Sequence, residues 1–210
     1  MKKIAFLSFL WLFVVSLTYA QERCEAPIFN VGSKWVIKAD NGWELVSELI
    51  GEEKDAYVFT RVIPEGRRKG EYRIHYNKKN MNVFKVIKDG KEDKEARDMF
   101  RKSYDFPLFY GKKWNYRYTV FSETSRRDVD IISELSVIGL EEVEVPGGKF
   151  RAYKVKVKDS TIGTGRDVSG NSYYWYSPDA KVKVKEVWEP GDFWREREYW
   201  KVELVSFDLK

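Results

Sequence analysis

The stretch Val129–Lys158, VDIISELSVIGLEEVEVPGGKFRAYKVKVK, indicates the fold class more clearly than any other part of the chain. Apolar and polar residues alternate on both sides of Pro146-Gly147-Gly148, which is the pattern of two half-buried strands around a tight turn. No cysteine or histidine interrupts either run. The stretch therefore predicts a long antiparallel β-hairpin.

Opposite charges suggest a register for this hairpin. Pairing Pro146 with Lys149 places Glu144 opposite Arg151 and Glu141 opposite Lys154. The same register pairs the apolar side chains with one another, and complementary cross-strand pairs support a register.

A second hairpin is predicted around Pro190-Gly191 near the end of the chain. Its register would make three opposite-charge pairs, which are Lys183–Glu198, Lys185–Glu196 and Glu186–Arg195. Along the last strand, the alternation of apolar and polar residues changes phase near Leu204–Val205, which predicts a β-bulge there.

The rest of the chain carries further strand patterns, at 34–39, 43–50, 56–63, 71–76, 81–87 and 116–121. Asp40-Asn41-Gly42 contains the Asn-Gly pair that is typical of hairpin turns. Segment 88–105 fits either one short helix or a solvated loop, and the Gly- and Ser-rich segment 159–172 is predicted to be a loop. We predict an all-β fold with one curved antiparallel sheet of about 10–12 strands, forming an open or half-closed barrel. The alternative is a two-sheet sandwich.

Two sequence patterns occur twice. Gly32-Ser33-Lys34-Trp35 recurs as Gly111-Lys112-Lys113-Trp114, and a Ser-Glu-Leu followed by Ile-Gly occurs at 47–51 and at 133–139. These echoes suggest an internal duplication of 31–90 and 106–210 within a single β domain at 31–210. A common way of beginning a strand would explain the first pattern equally well.

The first twenty residues have the three parts of a secretory signal peptide. Lys2 and Lys3 precede the apolar run Ile4–Leu17, and the small residues Thr18 and Ala20 mark a cleavage site after Ala20. An uncleaved anchor is the alternative. We expect an exported protein, periplasmic or extracellular, with a flexible segment at 21–30 and no membrane span after signal removal. Removal of Lys2 and Lys3 with the signal peptide lowers the 38 basic residues to 36, against 33 acidic residues, and this near balance argues against a nucleic-acid partner.

Few residues could carry catalytic or metal chemistry. His75 is the only histidine and Cys24 the only cysteine, which excludes a disulfide within the chain and a multi-His or Cys-rich metal site. The Gly163-Thr164-Gly165-Arg166 stretch lacks the residues of a phosphate-binding loop. We therefore expect no cofactor and no metal, and a protein that is not an enzyme.

Carboxylates and tryptophans near the C-terminus leave a carbohydrate-active enzyme as the least favoured alternative, because glycoside hydrolysis needs only two acids. The aromatic residues offer another kind of site. Trp175, Trp188 and Trp194 are candidate ligand-binding residues, although core packing is the alternative for each of them.

Four blocks carry a resemblance to a family: F-P-L-x-x-G-x-x-W-x-Y at 106–116, V-x-G-x-E-x-V-x-V-P-x-G-x-F-x-A-x-K-V at 137–155, Y-W-Y-S-P at 174–178 and E-L-V-S-F at 203–207. With these blocks, about half of the mature chain resembles the TapB-like family of secreted bacterial domains of unknown function. The resemblance implies an exported, curved antiparallel sheet, broadly similar to the half-barrels of periplasmic lipoprotein carriers. None of the blocks is a chemical motif.

Together these features predict an exported, non-enzymatic binding module for an apolar or amphipathic ligand, such as a lipid, peptide or glycan, or for an envelope protein. A structural or assembly protein of the cell envelope is the alternative.

We predict that the mature chain begins at Gln21, because the apolar run ends at a small-x-small cleavage site. N-terminal sequencing of the protein isolated from its native envelope would check this. A retained Met1, or a lipid on Cys24, would contradict the predicted processing.

Overall fold

The structure is a computed structural model that describes residues 22–63, 69–93, 96–122, 126–163, 168–194 and 199–210. The predicted signal peptide and its cleavage site lie outside these ranges. Arg195, Glu196 and Glu198, the predicted partners in the last hairpin, also lie outside them.

Twelve strands make up nearly all of the described regular structure. They are β1 (Lys34–Ala39), β2 (Glu44–Glu52), β3 (Ala56–Ile63), β4 (Gly70–Asn77), β5 (Val83–Lys88), β6 (Lys91–Glu92), β7 (Lys113–Ser122), β8 (Arg127–Val145), β9 (Gly148–Ile162), β10 (Ser169–Ser177), β11 (Val182–Trp188) and β12 (Lys201–Asp208). One-turn 3-10 helices lie at Arg97–Phe100 and Asp192–Trp194, and the described ranges contain no α-helix. The short helix considered for 88–105 is thus a single 3-10 turn.

All twelve strands form one antiparallel sheet in the order β6-β5-β4-β3-β2-β1-β12-β11-β10-β9-β8-β7. Strands that are neighbours in the sheet are also consecutive in the chain, except at β1–β12, where the two ends of the chain pair. The strands β6 and β7 follow each other in the chain but lie at opposite edges. The strand order is that of an antiparallel meander barrel in which β6 and β7 are not paired with each other. It confirms the predicted open sheet rather than the sandwich.

Local sequence predicted several elements accurately. The bounds of β1 and β3 coincide with the predicted strands. The Asn-Gly turn joins β1 to β2, with the Ala39 N–H donating to the Trp43 carbonyl at 2.8 Å and Gly42 at a φ of +92°. The bulge predicted near Leu204–Val205 is confirmed, because Val36 pairs with Ser206 while Ile37 pairs with Leu204 and leaves Val205 unpaired.

The register predicted for the β8–β9 hairpin is wrong by two residues. Glu144 pairs with Lys149, and Pro146-Gly147 alone form the turn. The predicted register also has a two-residue turn, at Gly147-Gly148, so turn length alone could not distinguish the two registers. Because the error is an even number between Gly139 and Val145, the side chains of that part keep their predicted face. Lys154 Nζ still lies 3.3 Å from Glu141 Oε1.

The register predicted for the last hairpin is also wrong. Lys185 pairs with Glu203, and the Trp188 N–H donates to the Trp200 carbonyl at 3.0 Å. Lysines and glutamates recur at every second residue in this region, so several registers pair opposite charges and charge alone could not choose among them. The connection that follows Pro190 is instead long and contains the second 3-10 helix.

Much of the predicted loop 159–172 is paired strand. The strand β9 continues to Ile162 and β10 begins at Ser169, with Asp159 opposite Gly170 and Ser160 opposite Ser169. The polar composition that favoured a loop instead reflects side chains such as Asp159, which is buried against other polar groups.

The two halves of the sheet share local geometry. The N–H of Gly32 donates to Leu49, and that of Gly111 donates to Val137 in the same way. Corresponding register shifts occur at Leu49/Gly51 and Val137/Gly139, and at His75/Tyr76 and Trp175/Tyr176. Met81 lies five residues after Tyr76, and Lys181 lies five residues after Tyr176. Both Met81 and Lys181 have positive φ. The duplication stays a prediction that this geometry supports.

Residues 22–30 differ from the flexible segment predicted there. Cys24 and Leu108 exchange backbone hydrogen bonds of 2.8 Å. Phe29 is buried, and its ring contacts Trp35, Tyr57 and Phe59 edge-on at centroid distances of 5.2–5.6 Å. We call these four residues, Phe29, Trp35, Tyr57 and Phe59, the aromatic cluster.

The connection from 96 to 112, the crossing connection, links the two edges of the sheet. The Ser103 carbonyl accepts a hydrogen bond from Tyr174 Oη at 2.5 Å, and the Lys102 carbonyl accepts one from Trp114 Nε1 at 3.3 Å. The connection is thereby held against β7 and β10, across the concave side of the sheet.

The end of the β8–β9 hairpin, residues 139–152, reaches back to β12. The Gly147 N–H donates to the Leu204 carbonyl at 2.9 Å, and the rings of Phe150 and Phe207 lie 5.7 Å apart. A Cβ atom at Gly147 would lie 3.0 Å from the Leu204 carbonyl oxygen, which is closer than most Cβ contacts, so the backbone of β12 would have to shift to accommodate it.

We predict that Gly147→Val destabilises the protein by about 1–3 kcal/mol, because the added atoms push the hairpin end away from β12. Gly191→Val is the matched control. No atom lies within 4 Å of a Cβ built at Gly191, so this change should stay within about 0.5 kcal/mol. Urea unfolding of both variants measures the effect, and equal stability would show that the contact with Leu204 is unimportant.

Candidate functional site

The concave face of the sheet encloses an open cavity of about 890 Å³. Residues from both halves of the sheet and from the crossing connection line it. Because strands on both sides of the β1–β12 pair contribute, the sheet must be strongly curved around this space. The cavity is the candidate functional site.

One wall of the cavity is apolar. Trp35 and Ile37 of β1, Leu45 of β2, and Phe59 and Ile63 of β3 line it. These residues alternate along their strands with residues of the opposite face, as expected for a sheet that buries one side. The aromatic cluster lies at the start of this wall, because it contains Trp35 and Phe59.

The opposite wall, from β8 to β11, carries polar groups that have partners. The Ser133 hydroxyl donates to the Asp159 carboxylate, and both residues are buried. Burial raises the pKa of Asp159, although Arg101 and the Ser133 hydrogen bond act in the opposite direction. Lys183 Nζ lies 3.5 Å from Glu186 Oε2.

Tyrosine hydroxyls add neutral polar groups to the cavity. Burial raises the pKa values of Tyr104, Tyr116, Tyr174 and Tyr176, so their hydroxyls stay protonated at physiological pH. Tyr176 Oη is buried and has no hydrogen-bond partner among the described residues. Such a group is uncommon, because a buried hydroxyl is usually hydrogen-bonded.

Arg61 brings a charged group to the apolar side. It lies on β3 between Phe59 and Ile63, and its Nη2 donates to Tyr76 Oη at 3.0 Å. Its Nε is buried and has no hydrogen-bond partner among the described residues.

This arrangement is suited to holding a ligand. The acidic residues of the cavity, Asp159 and Glu186, both have partners. No group of three His, Cys, Asp or Glu side chains that could hold a metal occurs in the part of the chain that the structure describes. His75 is buried with its Nδ1 3.5 Å from Glu53 Oε1, and it does not line the cavity.

The structure brings one of the three predicted site residues to the cavity. Trp188 lines it and contacts the ring of Tyr199 edge-on at 5.7 Å. Trp175 lies on the opposite face of β10 from Tyr174 and Tyr176, where its Nε1 donates to Glu141 at 2.8 Å. The backbone of Trp194 lies in the second 3-10 helix, and its side chain is outside the described part.

Sequence reasoning missed Arg61 and Asp159. Arg61 had a detectable signal, because the alternation Tyr57, Phe59, Arg61, Ile63 places it among the apolar residues of β3. Asp159 had none, because it lies in a segment whose composition is typical of loops.

No protein-family model matches this chain, and no curated protein matches its sequence. The TapB-like resemblance is therefore not confirmed. None of the helices in the described ranges is long and apolar enough to cross a membrane.

Three solved structures are similar to the chain. A candidate lipoprotein from Parabacteroides distasonis ATCC 8503 is 14% identical, with 90% of this chain and 100% of that chain covered and a TM-score of 0.51. The hypothetical lipoprotein YmcC from Escherichia coli is 14% identical, with 85% and 83% covered and a TM-score of 0.45. A candidate exported protein with a YmcC-like fold from Bacteroides fragilis is 13% identical, with 88% and 99% covered and a TM-score of 0.44. Of the three, the first alone has a TM-score above 0.5, and at this identity it shows a shared fold and no more.

We predict that Asp159→Asn is more stable than the wild type at pH 8 and that the difference shrinks as the pH falls towards 4. Burial raises the pKa of the Asp159 carboxyl above its ordinary value of 3.8. The protonated carboxyl therefore contributes its full stability to the folded state below pH 3.8, and this contribution is lost as the pH rises through the raised pKa. The amide oxygen can still accept from Ser133.

Urea midpoints between pH 4 and pH 8 measure the difference. Asp55→Asn, at an exposed position, is the control and should change stability by less than about 0.5 kcal/mol. Parallel pH profiles for Asp159→Asn and the wild type would contradict the prediction.

Proposed function

We propose that the protein is an exported, non-enzymatic binding module that holds an amphipathic ligand in the concave cavity. The observation that carries this proposal is the division of one open space of about 890 Å³ into an apolar wall and a polar wall. A ligand with an apolar body and a polar group would match both walls.

The size of the cavity supports the proposal. Ligand sites are commonly about 300–1,000 Å³, and they combine a mostly apolar lining with a few placed polar groups. The polar groups here are largely held in place by partners, as for Asp159 and Glu186.

Two observations support export. The first twenty residues have the pattern of a secretory signal. The Parabacteroides distasonis protein that shares the fold is a candidate lipoprotein, which is a class of envelope protein.

A second candidate function is envelope assembly through a sheet edge. The strand β7 is ten residues long and lies at one edge of the described sheet. Edge strands offer backbone groups to which an incoming strand can bind. The cavity favours ligand binding over this alternative, because an assembly protein has no need of an open interior.

Titration of the mature chain with N-phenyl-1-naphthylamine, an uncharged apolar fluorophore, tests the proposal. We expect saturable binding with micromolar affinity, and we expect Ser47→Trp to weaken it at least tenfold because Ser47 lines the cavity. Val46→Trp is the matched control, since Val46 is the neighbouring residue of β2 and is exposed. It should bind as the wild type does.

Thermal melting would verify that both variants fold. Absence of saturable binding to the wild type up to 100-micromolar protein, roughly the range of weak specific sites, would overturn the proposal. Equal affinities of the two tryptophan variants would also overturn it, because the fluorophore would then bind elsewhere.

A further inference from the structure

Arg61 is the charged residue of the cavity whose position is hardest to explain by folding alone. It lies among the apolar residues on the inward-facing side of β3. Its cross-strand neighbours are Ser47 on β2 and Tyr72 on β4. Burying a guanidinium beside apolar side chains is unfavourable unless the charge is paired and hydrogen-bonded.

The hydrogen bonds of Arg61 are incomplete. Its Nη2 donates to Tyr76 Oη at 3.0 Å, while the buried Nε has no partner within the described ranges. The ion pairs found among the described residues do not include Arg61. A guanidinium has five N–H donors and remains charged at every physiological pH, so this one lacks an anionic acceptor.

Most of the other charged residues that line the cavity have an opposite charge close by, whereas Lys181 Nζ donates to the Ile28 carbonyl at 2.6 Å. Lys183 lies 3.5 Å from Glu186, and Lys185 lies 3.5 Å from Glu203. Arg101 interacts electrostatically with Asp159 and lowers the pKa of that carboxyl against the effect of burial. Arg61 is half-buried and has no ion pair among the described residues, so it presents a positive charge to the cavity.

Tyr76 would strengthen an anion site. Its hydroxyl oxygen accepts the hydrogen bond from Arg61, which leaves the hydroxyl proton free to donate to another group. Tyr76 lines the cavity, and its ring contacts Phe59 at 5.2 Å. An anionic acceptor that contacts the Arg61 guanidinium beside Tyr76 would receive hydrogen bonds from both side chains.

We propose that the cavity binds an anionic amphiphile whose carboxylate or phosphate accepts hydrogen bonds from Arg61 and Tyr76. The apolar chain of this ligand lies along Trp35, Ile37 and Leu45. The planar fork of arginine matches both carboxylate and phosphate oxygens, and a charge-assisted bond in a partly buried site is stronger than a neutral one. This inference rests on the proposed function and names its ligand class.

Four amphiphiles with the same twelve-carbon chain test the inference. Dodecanoate, dodecyl phosphate, dodecyl maltoside and dodecyltrimethylammonium would each displace N-phenyl-1-naphthylamine from the mature chain, below their micelle-forming concentrations. We expect one or both anions to bind roughly 10- to 100-fold more tightly than the maltoside, as charged hydrogen bonds allow. The cation should bind most weakly. The anion that binds more tightly distinguishes a carboxylate ligand from a phosphate ligand.

Substitution of Arg61 localises the effect. Arg61→Gln should reduce the affinity for the anions to that for the maltoside, and Arg61→Lys should retain part of the preference, because it keeps the charge and loses the fork. Arg73→Gln is the matched control, since Arg73 lies on the neighbouring strand β4 at an exposed position. It should leave the preference unchanged. If Arg61→Gln fails to fold, Arg61→Lys provides the comparison.

The outcomes separate the two proposals. Equal displacement by all four amphiphiles would overturn the anion preference and leave the proposed function standing. An anion preference that survives in Arg61→Gln, or in Arg61→Lys at full strength, would place the anion elsewhere and overturn the role of Arg61. Failure of the fluorophore and of every amphiphile to bind the wild type would overturn both proposals.

Discussion

The pairing of β1 with β12 is the contact on which the cavity depends. It joins the two ends of the chain, from Lys34 opposite Asp208 to Ala39 opposite Val202, and it is the one place in the described sheet where neighbouring strands are not consecutive. Each half of the sheet could form its own hairpins locally. Only this ladder brings the apolar wall of β1–β3 to face the polar wall of β8–β11, and the bulge at Val205 adds the bend and twist that a curved sheet needs.

Packing around the cavity explains how an open interior can be stable. The aromatic cluster buries large apolar surfaces at the start of the apolar wall, and the crossing connection is bonded to β10 through Tyr174 and Ser103. On the other face of β10, the end of the β8–β9 hairpin holds Trp175 through Glu141. Apolar burial is therefore concentrated beside the cavity, where it supplies the stability that an unfilled interior does not.

The two halves share a framework and differ in the charges that they carry. The matching register shifts align Phe59 with Val155, because these residues pair with Leu49 and Val137 respectively. In this alignment, Arg61 of the first half corresponds to Val157 of the second half, and Ile63 corresponds to Asp159. Each half thus presents a charged group where its counterpart is apolar, which makes the cavity asymmetric. An asymmetric cavity can hold an amphipathic ligand in one orientation, since the two ends of the ligand meet different surroundings.

The sequence by itself determined the all-β fold, the bounds of β1 and β3 and the bulge at Val205, because these follow from alternation and turn chemistry over a few residues. It did not determine the registers of the two hairpins, since charges that recur at every second residue satisfy several registers equally. The site was decided by the tertiary structure. Arg61, Asp159 and Trp188 are far apart in the chain, and curvature together with the β1–β12 pairing directs them into one space. Alternation along a strand shows which residues share a face, but only the closure of the sheet decides what that face encloses.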